Sequence, residues 1–403
     1  MKNNKYKKLV NFKTNLNQPR HSWFDIKEGY STDLVTNILK DLDIKINDGL
    51  VLDPFSGSGT TILQSSILGY QSIGLEVNPF LYFLSKNKCK KYSKKFDFQK
   101  KKFLNYDLDK QKRFDVPKLS ISKKLFQKQL KIILQIKSWI NQINDIDTRE
   151  LFFCAFLCSL DRSSYAKKDG NGLKYPKNKV PADFKEVFIK NLEKFITDTD
   201  KVKITKKPKI FLGNNLETIK EKKFYEKFKN KISLCLFSPP YLNCFDYTEV
   251  YKTELWFGDF IKEYPDLKKL RNKTMSSHLN KNLAEVVILD EIKSYIIKIN
   301  QKKLWSNKII GMIKNYFFEM NSLLEQLYKL INKNGKCVIV VGNSSYGNIV
   351  IPTDKILEKI AKRIGFKKSY IIEARKLGTS SQQYKNIDDP KKLRESLVVL
   401  SKC

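Results

Sequence analysis

Five short runs of apolar residues recur along the chain, and each ends in a polar or glycine-rich segment. A continuous apolar run bounded by turn residues is typical of a strand that is buried in a sheet. Between these runs, apolar residues recur every three or four positions, as they do along one face of an amphipathic helix. Strands that alternate with helices predict an α/β fold. The predicted buried strands are 50–52, 72–75, 209–212, 233–237 and 337–341.

The helical pattern is strongest in the middle of the chain and near its end. Two further strands near 370–373 and 397–400 would form a terminal hairpin. Segment 104–205 separates two predicted strands and has a mostly helical pattern, so we predict that it is an insertion. The predicted helices are 32–42, 125–146, 151–160, 183–197, 309–331 and 353–364. The predicted divisions are 1–103, 104–205 and 206–403, the last with a smaller insertion at 259–303.

A glycine-rich turn follows the first strand, where residues 51–60 are Val-Leu-Asp-Pro-Phe-Ser-Gly-Ser-Gly-Thr. Gly57 and Gly59 lack a Cβ atom, so the backbone can turn tightly and approach a ligand. The next strand ends at Glu76, about 20 residues after the turn, where a carboxylate can accept hydrogen bonds from both hydroxyls of a ribose. The pattern therefore favours a nucleoside-containing ligand. The alternative is an ordinary strand, turn and helix.

A second unusual turn follows the fourth strand, where residues 236–241 are Leu-Phe-Ser-Pro-Pro-Tyr. Two consecutive prolines cannot lie inside a sheet or helix, because they lack N–H donors and have a fixed φ. They would rigidly present the hydroxyl of Ser238, two carbonyl groups and the ring of Tyr241. In open α/β sheets ligands bind at the carboxyl ends of strands, so we expect the two turns to face each other across a cleft. The alternative is a rigid loop with Tyr241 packed on the core.

The charge of the chain suggests a polyanionic partner. There are 77 Lys and Arg residues against 42 Asp and Glu, which gives a formal net charge of +35. Such an excess favours nucleic acid, held through its phosphates by a salt-sensitive interaction. A lysine-rich proteome is the alternative source of part of this charge. Residues 162–179 form a basic, glycine-containing stretch with two tyrosines, a composition that suits contact with a nucleic-acid backbone or a flexible surface loop.

Cysteine and histidine usage indicates a cytoplasmic protein without a structural metal. The seven cysteines are scattered without a pairing pattern, and Cys154 and Cys158 fall in an apolar helix. His21 and His278 are the only histidines, so a mixed zinc site is not expected. The N-terminal residues do not have the pattern of a signal peptide, and no run of about 18 apolar residues predicts a membrane span.

Together the two turns resemble those of the amino-group DNA methyltransferases, which use S-adenosyl-L-methionine. The first motif of that family is Asp-Pro-Phe-x-Gly-x-Gly-Thr, matched by residues 53–60, and its catalytic motif is Ser/Asp/Asn-Pro-Pro-Tyr, matched by 238–241. The resemblance implies a Rossmann-like methyltransferase sheet with helices on both faces. It also implies methyl transfer to the exocyclic amine of a base flipped out of double-stranded DNA. The implied catalytic residues are Ser238, Pro239, Pro240 and Tyr241.

The resemblance also assigns residues to the cofactor site. Tyr30 and Ser31 would line the pocket around the methionine end, although Ser31 also suits the N-cap of the helix that follows. The family usually has Gly-Asp before its catalytic half, where this chain has Gly213-Asn214, whose amide oxygen can still accept a hydrogen bond from adenine. The implied cofactor-binding residues are Tyr30, Ser31, Asp53, Pro54, Phe55, Gly57, Gly59, Thr60, Glu76, Asn78 and Asn214.

The target remains open among several classes at this point. In the family, Ser at position 238 is associated mainly with cytosine N4 and Asp with adenine N6, so cytosine is favoured. Methylation at cytosine C5 is disfavoured because the chain has no Pro-Cys pair. The alternatives are adenine-N6 methylation of DNA, amino-methylation of RNA and a non-catalytic DNA-binding relative. Residues 104–205 are the first candidate for target recognition and 259–303 the second, and a cognate restriction endonuclease is a candidate partner.

Overall fold

A computed structural model describes residues 4–92, 96–111, 115–169, 172–378 and 392–403. The predicted recognition segment 104–205 and the basic stretch within it are therefore described except for residues 112–114 and 170–171. Within the described ranges, no helix is both long enough and apolar enough to cross a bilayer.

A central sheet organises the described part of the chain. Seven of its strands pair in the order β10-β11-β7-β6-β1-β2-β5. The pairs among β7, β6, β1, β2 and β5 are parallel, while β11 pairs antiparallel with both β7 and β10. The predicted α/β class and the terminal hairpin are thus confirmed. The strands are β1 (Leu50–Asp53), β2 (Ser72–Glu76), β3 (Lys167–Asp169), β4 (Gly172–Lys174), β5 (Lys209–Leu212), β6 (Ile232–Phe237), β7 (Ile331–Gly342), β8 (Ser344–Tyr346), β9 (Ile349–Ile351), β10 (Lys368–Lys376) and β11 (Arg394–Ser401).

Helices cover both faces of this sheet. They are α1 (Asn4–Lys7), α2 (Thr32–Asp41), α3 (Thr60–Ile67), α4 (Pro79–Lys88), α5 (Asp97–Leu104), α6 (Ser122–Phe126), α7 (Leu130–Asn141), α8 (Ile146–Ser159), α9 (Phe184–Lys201), α10 (Asn215–Lys220), α11 (Lys222–Phe228), α12 (Tyr247–Val250), α13 (Lys252–Phe257), α14 (Tyr264–Lys273), α15 (Asp290–Asn300), α16 (Lys308–Leu330) and α17 (Thr353–Ile364).

Successive side chains of each strand point to opposite faces of the sheet, which produces two separate cores. Val51 of β1 packs with Leu34 and other residues of α2 on one face. The adjacent Leu52 packs on the other face with residues of α16 such as Phe317. Because both faces are covered, the strands must be apolar on both sides, which explains their continuous apolar runs.

The segment between β2 and β5 forms a third core from α4 to α9, to which α13 also contributes. The helix predicted over 125–146 is interrupted there: α6 ends at Phe126, and Gln127 has a φ of 46°. A new helix begins at Ile146, earlier than the predicted 151, because the Asp145 carboxylate accepts a hydrogen bond from Thr148 N at 2.9 Å. The division of the chain into domains remains a prediction.

Candidate active site

The glycine-rich turn and the Ser-Pro-Pro-Tyr turn leave the sheet side by side. β1 and β6 are parallel neighbours, with Leu52 opposite Cys235, so both turns lie at the same edge. The chain runs from β1 through β2 to β5 on one side and returns through β6 and β7 on the other, which opens a crevice at this point. One cleft lies there, and seven of the predicted site residues line it: Pro54, Phe55, Gly57, Glu76, Asn78, Ser238 and Pro240.

The glycine turn needs its glycines at both positions. Gly57 has a φ of +50° and Gly59 a φ of +85°, values that residues other than glycine rarely adopt. A Cβ atom at Gly59 would lie only 2.9 Å from Ser85 Cβ, and one at Gly57 would lie 3.3 Å from Ile26 Cδ1. Gly57 N also donates a hydrogen bond of 2.7 Å to a carboxylate oxygen of Glu76, so the turn is held against the end of β2.

Two carboxylates are buried at the ends of β1 and β2. Glu76 accepts a second hydrogen bond from Asn78 N at 2.8 Å, and Asp53 accepts one from Phe55 N at 3.0 Å. Burial raises the pKa of both Asp53 and Glu76 to about 7, although these backbone N–H groups favour the ionised forms. Glu76 faces the cleft, whereas Asp53 lies behind its lining. The cleft therefore offers a carboxylate whose charge depends on pH near neutrality.

The donor set of the cleft fits a nucleoside-containing cofactor. The Glu76 carboxylate can accept hydrogen bonds from ribose hydroxyls. Nearby, the side-chain nitrogen of Asn78 is buried and has no hydrogen-bond partner in the described part of the chain. The glycine turn leaves room that a Cβ atom would fill. The Glu76 carboxylate, the unpaired Asn78 side-chain nitrogen and the glycine turn thus lie on the same side of the cleft.

Several predicted cofactor residues lie behind the cleft and do not line it. The Tyr30 hydroxyl is buried and hydrogen-bonds to Thr61 Oγ1, with an oxygen of Asp53 3.4 Å away. Ser31 is fully buried and caps α2, since its Oγ accepts a hydrogen bond from Leu34 N at 3.2 Å. Ser31 is thus the N-cap residue of α2, as one of its two interpretations predicted. Gly59 and Thr60 form the start of α3 behind the turn, and contact of any of these residues with a cofactor remains a prediction.

Asn214 is placed beside the cleft. Its side-chain oxygen accepts a hydrogen bond of 2.8 Å from Leu216 N and so caps α10. It lines a smaller pocket that shares Phe55 and Met275 with the main cleft, while Gly213 and Asn215 line the main cleft itself. The oxygen that would accept from adenine already has a partner here, and the adenine contact remains a prediction.

The four residues of the Ser-Pro-Pro-Tyr turn have different environments. Ser238 and Pro240 line the cleft, whereas Pro239 and Tyr241 are not part of its lining. The Tyr241 ring packs against Gly342, where a Cβ atom would lie 2.9 Å from the ring. Its hydroxyl donates a hydrogen bond to Glu395, and burial together with this carboxylate raises the pKa of Tyr241. Glu395 in turn forms an ion pair with Arg375. The Tyr241 ring thus packs on the core in this structure, as the alternative interpretation of this turn predicted.

The far wall of the cleft was not predicted from the sequence as part of the site. It consists of Lys273, Thr274, Met275, Ser277 and His278. The sequence signal was the polar run 271–278, which suggested only a loop in the second recognition segment. Two carboxylates hold this wall. Asp246, which is buried, accepts a hydrogen bond from Asn280 and forms an ion pair with Arg271 at 3.0 Å. Glu319 accepts hydrogen bonds from Ser276 N and Oγ, both at 2.7 Å.

His278 belongs to this wall and is buried. Its Nε2 atom lies 3.0 Å from Thr274 Oγ1, and its Nδ1 atom lies 3.7 Å from a carboxylate oxygen of Asp246. Burial lowers the pKa of His278 below its ordinary value, against the opposing effect of Asp246. Burial therefore favours the neutral form of this imidazole in the wall.

A mostly parallel sheet with a glycine turn after β1, an acid at the end of β2 and a Ser-Pro-Pro-Tyr turn after β6 is the arrangement expected of a methyltransferase. The model of the N6/N4 family, described as DNA methylase, matches residues 14–87. This match and the relatives described next support the amino-methyltransferase family, with S-adenosylmethionine as the methyl donor.

Similarity to known methyltransferases extends well beyond the segment that matches the family model. Type II methyltransferase M.BsoBI of Geobacillus stearothermophilus is 29% identical over 94% of this chain and 84% of its own length. Type II methyltransferase M.AvaI of Nostoc sp. is 28% identical over 94% of this chain and 85% of its own. Type II methyltransferase M.MjaII of Methanocaldococcus jannaschii is 42% identical over 66 residues, or 16% of this chain. The alignments with the first two relatives therefore include the cofactor turn, the catalytic turn and the segment between them.

Proposed function

We propose that this protein is a site-specific DNA methyltransferase that methylates the exocyclic amine of a flipped base in double-stranded DNA, with cytosine N4 as the favoured position. One observation carries the proposal: Gly57 and Glu76 of the cofactor half line the same cleft as Ser238 of the catalytic half. A methyl donor and an acceptor amine bound on these two sides would meet inside it. The relatives M.BsoBI and M.AvaI, which align along most of the chain, are named Type II methyltransferases.

The cofactor half would hold the donor through groups that are already in position. Glu76 would accept hydrogen bonds from the ribose, and Asn78 would donate its unused amide hydrogen. Phe55 lies beside Phe237, with ring centroids 5.6 Å apart, and would contact the adenine ring. Bound S-adenosylmethionine supplies an electrophilic methyl group. The chain's own contribution on this side is binding and orientation.

The catalytic half would make the amine reactive. The lone pair of an exocyclic amine is delocalised into the base ring, so the nitrogen is a poor nucleophile. Ser238 Oγ and the Pro239 carbonyl oxygen would accept the two amine hydrogens and draw the nitrogen towards tetrahedral geometry. Hydrogen-bond acceptors fixed by two consecutive prolines need little reorganisation during the reaction. Tyr241 has two possible roles: its ring would stack on the base, or its side chain would hold Ser238 in position. Comparison of Tyr241→Phe with Tyr241→Ala distinguishes these roles.

The charge of the chain supports DNA as the substrate. A formal net charge of +35 suits a partner that is recognised largely through its phosphates. The target base must leave the duplex to enter a cleft at the edge of a sheet. Segments 104–205 and 259–303 remain the candidates for sequence recognition. The Type II names of the relatives make a cognate restriction endonuclease a candidate partner.

The test is methyl transfer from labelled S-adenosylmethionine to mixed-sequence duplex DNA, followed by nucleoside analysis of the product. We expect N4-methylcytosine. Detection of N6-methyladenine would leave the proposed mechanism unchanged and show that adenine is the target base. Methyl transfer to structured RNA, with none to duplex DNA, would show that the substrate is RNA. Binding of the cofactor without transfer to either nucleic acid would favour a non-catalytic relative.

The matched control for this assay is Ser238→Ala. This variant should bind S-adenosylmethionine normally and lose most of its turnover, because it removes one acceptor from the amine side alone. Normal turnover by Ser238→Ala would refute the catalytic role of Ser238, whichever base is methylated.

A further inference from the structure

One of the four tryptophans differs from the others in its exposure. Trp23, Trp139 and Trp256 are each at most 3% exposed, whereas Trp305 is 68% exposed. Trp305 lies in the connection between α15 and α16. A large aromatic ring on the surface loses the hydrophobic stabilisation that burial would give it, so such rings are common at binding surfaces.

The surroundings of Trp305 are basic. Lys302, Lys303 and Lys308 are all exposed, and segment 301–308 contains no acidic residue. In the part of the chain that the structure describes, none of these three lysines forms an ion pair with a carboxylate; the side chain of Lys308 donates to the Leu279 carbonyl oxygen at 3.5 Å. We call Trp305 and these three lysines the Trp305 surface.

The Trp305 surface is connected to both sides of the cleft. Lys302 packs against Gly347, in the turn between β8 and β9, where an added Cβ atom would lie 2.7 Å from Lys302 Cβ. The neighbouring Tyr346 hydroxyl donates a hydrogen bond of 2.9 Å to the carbonyl oxygen of Leu242, directly after the Ser-Pro-Pro-Tyr turn. The bond from Lys308 to Leu279 reaches the residue that follows His278 of the far wall. The surface therefore borders the same side of the molecule as the cleft.

We propose that the Trp305 surface binds the DNA that flanks the target base, with the indole ring against a base and the lysines on the phosphates. This inference rests on the proposed function, because it takes DNA as the substrate. An exposed aromatic ring among unpaired cations is the combination that binds unstacked nucleic acid: the ring stacks on a base and the cations neutralise the backbone. Flipping of the target base leaves its neighbours partly unstacked, which provides a partner for the ring.

A second copy of the chain is the competing occupant of this surface. Each copy has a formal net charge of +35, so two copies would bring like charges together at a surface that is itself basic. Charge complementarity therefore favours DNA over self-association.

Tryptophan fluorescence gives a direct test, because Trp305 is the exposed tryptophan. In the free wild-type enzyme, iodide should quench a red-shifted component that Trp305→Phe lacks. A duplex that contains a methylation site should quench this component or shield it from iodide. Trp305→Ala should raise the Kd for the duplex about tenfold, as expected for loss of one stacked base, and leave the Kd for S-adenosylmethionine unchanged. Tyr370→Ala, which removes an aromatic ring that is 49% exposed on β10, is the matched control and should bind DNA normally.

The lysines have a separate readout. Replacing Lys302 and Lys303 by Gln should reduce the slope of log K against log salt by roughly 2, because each lost phosphate contact contributes about 0.9. The inference would be overturned if Trp305→Ala bound DNA as tightly as the wild type and if Trp305 in the wild-type complex stayed accessible to iodide. Methylation of DNA by the wild-type enzyme would in that case leave the proposed function intact. Loss of a dimer in Trp305→Ala on sedimentation would also overturn it, in favour of self-association. If the wild-type enzyme neither bound nor methylated DNA, both proposals would fail.

Discussion

Lys88 Nζ donates a hydrogen bond of 2.8 Å to the carbonyl oxygen of Ser58, which lies between the two glycines of the cofactor turn. Lys88 is completely buried at the end of α4, and Ser58 is 2% exposed. Burial lowers the pKa of Lys88 to about 8. A buried ammonium group is costly to desolvate, so its place beneath the turn indicates that it holds the turn in position.

Replacing Lys88 by Met should weaken cofactor binding. The change leaves the Ser58 carbonyl buried without this donor, a loss of about 1–3 kcal/mol, so we expect a Kd for S-adenosylmethionine about tenfold higher with a smaller change in kcat. Calorimetric titration measures the Kd. Lys86→Met on the same helix is the control, because Lys86 is partly exposed and pairs with Glu150. Equal affinity in Lys88→Met and Lys86→Met would show that Lys88 does not support the turn.

The pH dependence of stability gives Lys88 a second signature. Its folded pKa of about 8 lies below the ordinary value of 10.5, so the unfolded chain binds more protons between these values. Stability contributed by this group should therefore rise as pH increases from about 8 to about 10.5. The difference in unfolding free energy between the wild type and Lys88→Met should change in that window, which urea denaturation at several pH values can measure.

The contact between Lys88 and Ser58 also shows what the sequence could not predict. The glycine turn was predicted because strand, glycines and acid follow one another within about 25 residues, and their spacing carries the information. Lys88 lies 30 residues from Ser58 at the end of a helix, where a lysine usually faces solvent and favours the helix dipole. Only the packing of α4 against the turn identifies it as buried.

Contacts between residues that are far apart in the sequence also hold the far wall of the cleft and Tyr241, so neither could be predicted from local patterns. The wall loop depends on Asp246 and Glu319, whose hydrogen bonds to it span 34 and 43 residues of sequence. Tyr241 and Glu395 are 154 residues apart. Periodicity and local motifs predicted the strands of the central sheet, the longest helices and the two turns that meet in the cleft. They carry no information on which distant charged residue becomes buried beneath a turn.

Glu76 should make cofactor affinity depend on pH. Its pKa is about 7 in the free protein, and the ionised carboxylate is the better acceptor for ribose hydroxyls. Affinity for S-adenosylmethionine should therefore rise as pH increases from about 6 to 8 and then level off. Glu76→Gln should bind about tenfold more weakly at pH 8 and lose most of this dependence. Asp53→Asn separates the two acids: if it, and not Glu76→Gln, removed the pH dependence, the titrating group would be Asp53.

Tyr241 offers a test of positioning against stacking. Tyr241→Phe keeps the ring but removes the hydrogen bond to Glu395, an interaction with a charged group that contributes about 1.5–3 kcal/mol. If the hydroxyl positions the catalytic turn, kcat should fall about tenfold with an unchanged Kd for the cofactor. If the ring acts only by stacking on the base, Tyr241→Phe should retain its kcat and Tyr241→Ala should lose it. Steady-state kinetics on duplex DNA distinguish these outcomes.

Lys168 and Glu254 form a buried ion pair that joins the β3–β4 hairpin to α13. Their side chains are 3% and 0% exposed, and Lys168 Nζ lies 4.6 Å and 5.0 Å from the ring centroids of Phe24 and Tyr251. Burial raises the pKa of Glu254 to about 7, against the effect of Lys168. The Tyr251 hydroxyl accepts a hydrogen bond from Lys27 N at 3.3 Å, and Lys27 lines the cleft, so this pair also supports the site.

Removing one member of this pair should be more damaging than replacing both. Lys168→Met leaves a buried carboxyl without its cation, which typically lowers stability by about 3–5 kcal/mol, whereas apolar replacement of a whole buried pair is often nearly neutral. We therefore expect urea denaturation to show a large loss for Lys168→Met and substantial recovery in the double variant Lys168→Met with Glu254→Leu. Lys174→Met is the control, since Lys174 pairs with Asp169 on the surface of the same hairpin. Additive losses in the double variant would mean that the two residues stabilise the fold independently through packing, and that their charges are not coupled.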